Sequence, residues 1–111
     1  MLNFHLIAGR LKEQVLSDAV RITIHAHREM AAEDISYKSI KEAILNGEVI
    51  ENYPEHQRGA CCLICGKDNS ERFLHICCTT SLELAIIITV YEPKRPKWAS
   101  PYQRGRNINE M

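Results

Sequence analysis

Four of the five histidines, His25, His27, His56 and His75, are candidates to exchange protons near neutral pH, and two of them stand where a fold could hold them rigidly. His25 follows Arg21-Ile22-Thr23-Ile24, whose alternation of polar and β-branched residues predicts a short strand. It precedes a stretch from Ala26 to about Glu33 that is rich in Ala, Glu and Met and predicts a helix. His25 therefore sits where a strand hands over to a helix. His75 lies inside a predicted strand, Phe73 to Thr79, on the face of Phe73, Cys77 and Thr79 and opposite Leu74, Ile76 and Cys78. Tyr91 ends the apolar run ELAIIITVY. Strict alternation there gives one face of Leu84, Ile86, Ile88 and Val90 and another of Glu83, Ala85, Ile87, Thr89 and Tyr91. If the two strands are antiparallel neighbours, His75, Thr89 and Tyr91 can line one surface. A slip of one residue would separate them, and the sequence leaves the register open. The competing structural readings are a satisfied histidine within a sheet for His75 and a capping or packing role for His25.

The cysteines offer a different chemistry. Cys62-Leu-Ile-Cys65-Gly66 has the spacing of a zinc knuckle, and Cys62, Cys65, His75 and Cys77 supply four ligands. The second half is H-x-C-C, however, and a flat strand points Cys62 and Cys65 to opposite faces, so small core residues are the plainer reading. Five cysteines is an odd count, and the opening MLNFHLIAGRLKEQ is interrupted by His5 and Arg10 before any signal-like apolar core. A reduced, cytoplasmic setting is expected. No segment approaches the roughly 18 apolar residues of a membrane span.

Fourteen basic and fourteen acidic residues leave a formal net charge of zero, which excludes global attraction to nucleic acid or an anionic membrane. The charge is unevenly placed. Lys94 to Arg106 holds Lys94, Arg95, Lys97, Arg104 and Arg106 with no acid, interleaved with Trp98 and Tyr102. Phosphate neutralisation with base stacking requires that pattern, which makes Arg95, Lys97, Trp98 and Arg106 candidate RNA contacts. A solvated end has the same composition.

These residues depend on a scaffold of helices first and strands after. Phe4, Ile7, Ala8, Leu11 and Val15 recur at helical spacing and predict an amphipathic helix over residues 3–19. Ser36 as N-cap, the stripe Ile40, Ala43 and Ile44, and the Asn46-Gly47 stop predict another. Strands follow at Val49 to Tyr53, Ala60 to Cys65, Phe73 to Thr79 and in ELAIIITVYEPKRPKW, residues 83–98, read as the central strand and ended by Pro93 and Pro96. The expected molecule is a single α+β domain spanning 1–111, with an N-terminal helix in 1–20, a core in 21–98, a loose basic tail in 99–111, and a mainly antiparallel sheet of four to five strands carrying helices on one face.

The segments ITIHAHREMAAEDIS, AILNGEVIENYP, CLICG, LHICC and ITVYEPKRPKW, in this order and spacing, resemble the small prokaryotic family known as domain of unknown function 4258, over about residues 21–106. The resemblance implies the fold of barnase-like and RelE-like ribonucleases, and a toxin that cleaves RNA by acid–base chemistry without metal or cofactor. It also implies a small antitoxin partner, often a zinc-finger protein. On that likeness His25, His75, Tyr91 and Arg104 fall on the expected cleft: the histidines sharing the acid and base roles, Tyr91 positioning the phosphate or donating a proton, and Arg104 or Arg106 folding back onto developing charge. The chain departs from the family at Glu29 and Glu33, where arginines are frequent, and at Cys65, where an apolar residue is usual. The other readings are a non-catalytic RNA- or protein-binding module of the same fold and a small zinc-stabilised module.

Overall fold

A computed structural model describes residues 4–105. The elements are α1 (Phe4–Leu16), β1 (Val20–Ile22), α2 (Ile24–Glu33), α3 (Tyr37–Asn46), β2 (Glu48–Tyr53), β3 (Cys61–Lys67), β4 (Phe73–Thr79), β5 (Ala85–Tyr91), β6 (Trp98–Ser100) and β7 (Gln103–Arg104). The main sheet has the order β1-β5-β4-β3-β2, antiparallel except for the parallel β1–β5 pair. The architecture is thus α+β with a mostly antiparallel five-stranded sheet. No helix among the described residues is long and apolar enough to cross a membrane.

Short polar residues start the second and third helices. Thr23 Oγ1 accepts from Ala26 N at the head of α2, and Ser36 Oγ from Ser39 N at the head of α3, satisfying backbone donors that would otherwise lack partners. The core lies between the helices and one sheet face: Leu11, Val15, Ala26, Ile40, Ala43 and Ile44 meet Ile64, Leu74, Ile76, Ala85, Ile87 and Val90, all buried.

Two expectations change here. The central strand is β4, whereas β5 stands second in the sheet, between β1 and β4. The simple alternation of β5 also fails. Ile87 pairs with Cys78 but Thr89 pairs with Cys77, so Ile88 is an extra residue, a β-bulge that reverses the pleat. Ala85, Ile87 and Val90 consequently share the helix-covered face, and Thr89 and Tyr91 share the other.

Gly66, which follows Cys65, has a packing role. A Cβ there would lie 1.9 Å from the Ala43 carbonyl oxygen of α3, and one at Gly47 would lie 2.5 Å from that same oxygen. Gly66→Ala is expected to push α3 off β3 and destabilise the fold by about 1–3 kcal/mol, the usual range for overpacking, read as a lower urea midpoint at unchanged slope.

Residues expected to begin a loose tail instead form a second, two-stranded sheet, β6–β7. Gly105 N donates to Lys97 O and closes the hairpin. It folds onto the sheet face that carries no helix.

Candidate functional site

The uncovered face of the sheet is organised in rows across the strands. Cys65, His75 and Tyr91 are successive partners in one row, and Leu63, Cys77 and Thr89 in the next. Glu51 pairs with Leu63 and Tyr53 with Cys61, so both belong to this face. The register thus brings His75 and Tyr91 directly opposite each other, because the bulge at Ile88 moves Thr89 and Tyr91 off the core face that Ala85 and Ile87 occupy.

His75 is fully buried. Its Nε2 lies 2.5 Å from the Pro101 carbonyl oxygen in the hairpin turn, and its Nδ1 lies 3.1 Å from the Tyr91 hydroxyl. A carbonyl oxygen can only accept, so Nε2 carries the proton and Nδ1 receives the Tyr91 O–H. The Trp98 ring meets the imidazole edge-on, with centroids 4.2 Å apart, and Tyr91 does so at 5.2 Å. Trp98 is 2% exposed, so it anchors the hairpin and is not free to stack on a base. The hairpin's far strand is latched by Arg104, whose Nε and Nη2 bond the two Glu51 carboxylate oxygens at 2.7 and 2.8 Å. The guanidinium also sits 4.8 Å over the Trp98 ring. Arg104 is therefore paired, and Glu51 and Pro101 are participants that the sequence did not single out. An E-x-Y pattern on one strand face hinted at Glu51 and Tyr53. Nothing in the chain announced a partner 53 residues away.

Electrostatics follow from this packing. Burial pushes the His75 pKa below its ordinary 6.5, and the Arg104 hydrogen bond holds Glu51 below its ordinary 4.5. Burial raises the Tyr91 phenol. On unfolding, His75 regains its ordinary affinity for a proton, so acidification through about 6.5 toward the lower folded value favours the unfolded chain. Glu51 acts in the same direction at lower pH, its stabilisation being present above 4.5 and lost as the carboxylate protonates. Guanidinium midpoints are accordingly expected to fall between about pH 7.5 and about pH 5.5, with a smaller fall in His75→Gln.

His25 occupies the rim. It lies in the first turn of α2 with its side chain 69% exposed, and its Nε2 is 3.2 Å from Glu29 Oε1. That same oxygen accepts from Val90 N at 3.0 Å and from the Thr89 hydroxyl. Glu33 Oε1 accepts from Glu92 N. Glu29 and Glu33 thus cap the edge of β5 beyond the end of β1. Glu29 ties His25 to Thr89, one pleat along β5 from Tyr91, roughly 7 Å by strand rise. Lys97 Nζ stands 5.9 Å over the Tyr91 ring, and Lys94, Arg95 and Lys97 are exposed. Arg106 lies outside the described residues.

The zinc alternative does not assemble. Cys62 pairs with Cys78 on the helix-covered face, whereas Cys65, His75 and Cys77 belong to the other, because residues three apart on a strand point in opposite directions. Among the described residues no group of three or more His, Cys, Asp or Glu side chains is placed to hold a metal ion. Burial pushes the Cys65 thiol up to about 11 and Cys77 to about 12, so neither is a thiolate nucleophile at neutral pH.

No curated protein and no solved structure matches the chain. A family model described as "Domain of unknown function (DUF4258)" matches residues 22–92, from the end of β1 to just past β5. That span includes His25, Glu29, Glu51, His75 and Tyr91 and stops short of the hairpin that covers them. The chain belongs to the DUF4258 family.

Proposed function

We propose that the chain is a metal-independent endoribonuclease that works along β5. The observation that carries this reading is the placement of two imidazoles, one on α2 and one on β4, each tied by hydrogen bonds to a neighbouring position of β5: His25 through Glu29 to Thr89, and His75 to Tyr91. Exposed His25 accepts the proton of the attacking 2′-hydroxyl. Tyr91 turns its hydroxyl from His75 Nδ1 to the departing 5′-oxygen and delivers its proton, the His25 imidazolium returns a proton to the phenolate through solvent, and the products are a cyclic phosphate and a free 5′-hydroxyl. Lys97 and Arg95 hold the phosphate, and Arg104 joins them when phosphate displaces Glu51. A toxin role on a RelE- or barnase-like fold and neutralisation by a small antitoxin, of the zinc-finger kind, belong to the same proposal. They are supported by family likeness. The five free cysteines support its cytoplasmic setting.

The test is growth and RNA integrity in bacteria induced to express wild type beside His25→Ala and Tyr91→Phe, at matched levels. Arrest and RNA breakage in the wild type alone bear the proposal out, and a folded wild type without effect overturns it. A second reading, a non-catalytic RNA- or protein-binding module, is favoured by the complete burial of His75 with both ring nitrogens occupied. In that case Arg95→Glu with Lys97→Glu abolishes RNA retention on a filter, while His25→Ala retains it.

A further inference from the structure

The helical layer leaves a gap on the side of the sheet away from His75. Here a groove of about 750 Å³ is floored by Val20 and Ile22 of β1 and by Leu45, and walled by His27 of α2 and by Tyr37 and Lys41 of α3. β1 is an edge strand. Ala85 N donates to Ala19 O and Thr23 N to Ile87 O, a parallel ladder that turns the N–H and C=O of Val20 and Ile22 away from β5. An apolar floor therefore borders an open row of backbone donors and acceptors.

The charges around this edge are unequal. The acids are already held: Asp18 takes Lys41 Nζ at 2.7 Å and the Tyr37 hydroxyl at 3.0 Å, and Glu42 takes Asn69 N and Nδ2 at 3.0 and 2.8 Å. Lys38 is 84% exposed and 3.9 Å from Glu42, and Arg21, on the outer face of β1, has no acidic partner among the described residues. A second copy pairing edge to edge through β1 would place Arg21 against Arg21, like charges in directly opposed positions. An acidic strand faces no such repulsion.

We propose that the β1 edge takes an extended acidic segment of a partner protein as a sixth strand. Its pattern is apolar-acidic-apolar: the apolar side chains enter the groove beside Val20 and Ile22, and the acid between them pairs with Arg21. Backbone hydrogen bonds supply register, and Lys38 attracts acids at the rim. This surface is distinct from the His25–Tyr91 rim and does not rest on the RNA chemistry assigned there.

The probe is a synthetic peptide of roughly nine residues alternating Val and Glu, titrated into the purified chain and followed by amide exchange and two-dimensional NMR. The expected result is slowed exchange of the Val20 and Ile22 amides, and binding weakened about tenfold or more when alternate peptide nitrogens are methylated or when Lys replaces Glu. Arg21→Glu, an exposed change that leaves the fold intact, is expected to reverse the preference toward the Val-Lys peptide. That reversal separates a pairing role from a structural one. Val20→Pro, which removes a donor that β5 does not use, should also weaken binding. The proposal is overturned by indifference to N-methylation or to the sign of the charge, by protection elsewhere on the chain, by absence of binding at about 1 mM, or by a short RNA protecting the same amides more strongly.

Discussion

His75→Ala is expected to release the C-terminal hairpin from the sheet and to lower the unfolding temperature by roughly 10–20 °C. The imidazole is wholly buried and touches three things at once: the Tyr91 hydroxyl, the Pro101 carbonyl and the edge of Trp98. Truncation leaves a cavity and deprives two half-buried polar groups of partners, together about 2–4 kcal/mol. For a domain of this size each kcal/mol shifts the melting temperature by about 4–8 °C. Trp98 is the only tryptophan in the chain and is 2% exposed, so its fluorescence reports hairpin docking directly. The variant should show red-shifted emission at temperatures where the far-ultraviolet signal is still native. His75→Gln, which can donate to Pro101 and accept from Tyr91, should recover part of both losses. Melting within about 2 °C of wild type, with unshifted emission, would show that the Glu51–Arg104 latch holds the hairpin without His75. Replacement of His75 by alanine is consequently no clean test of catalysis, contrary to what its position in a strand suggests when burial is unknown.

Local patterns in the sequence proved sufficient for the three helices and the five strands of the main sheet, and insufficient for the hairpin that covers it. Ser36 and the stripe Ile40, Ala43 and Ile44 marked α3, and the alternation of FLHICCT placed His75 on the correct face of β4. The bulge at Ile88 was hidden because four successive apolar residues, Ala85 to Ile88, carry no alternation that could register an extra position. That single insertion decides whether Leu84 and Ile86 or Ala85 and Ile87 enter the core. The hairpin was hidden for another reason. KRPKWASPYQRGR has the composition of a solvated tail, and only long-range pairs fold it back: Arg104 with Glu51, and Trp98 and Pro101 with His75. Glu29 and Glu33 read as a departure from a phosphate-binding helix, yet their carboxylates accept the otherwise unpaired N–H groups of Val90 and Glu92. Pairings across dozens of residues leave no periodic trace in a sequence.

The clean test of the proposed chemistry is His25→Ala, expected to reduce RNA cleavage by about 10²- to 10⁴-fold while leaving the melting temperature within about 2 °C. The two expectations have separate grounds. The side chain is 69% exposed, and its contact with Glu29 is an i,i+4 pair worth a few tenths of a kcal/mol. Glu29 keeps both β5 hydrogen bonds without it, so the fold loses nothing else. In the proposed mechanism catalysis depends on it because, of the two oriented imidazoles, His25 alone reaches solvent, and a base must come within hydrogen-bond distance of the hydroxyl it deprotonates. Glu29→Gln should behave differently. It preserves an acceptor for Val90 N but removes the carboxylate charge beside the imidazole, so cleavage should fall less than in His25→Ala. A His25→Ala variant with wild-type cleavage and wild-type melting would remove this histidine from the mechanism and leave the β5 rim as a binding surface.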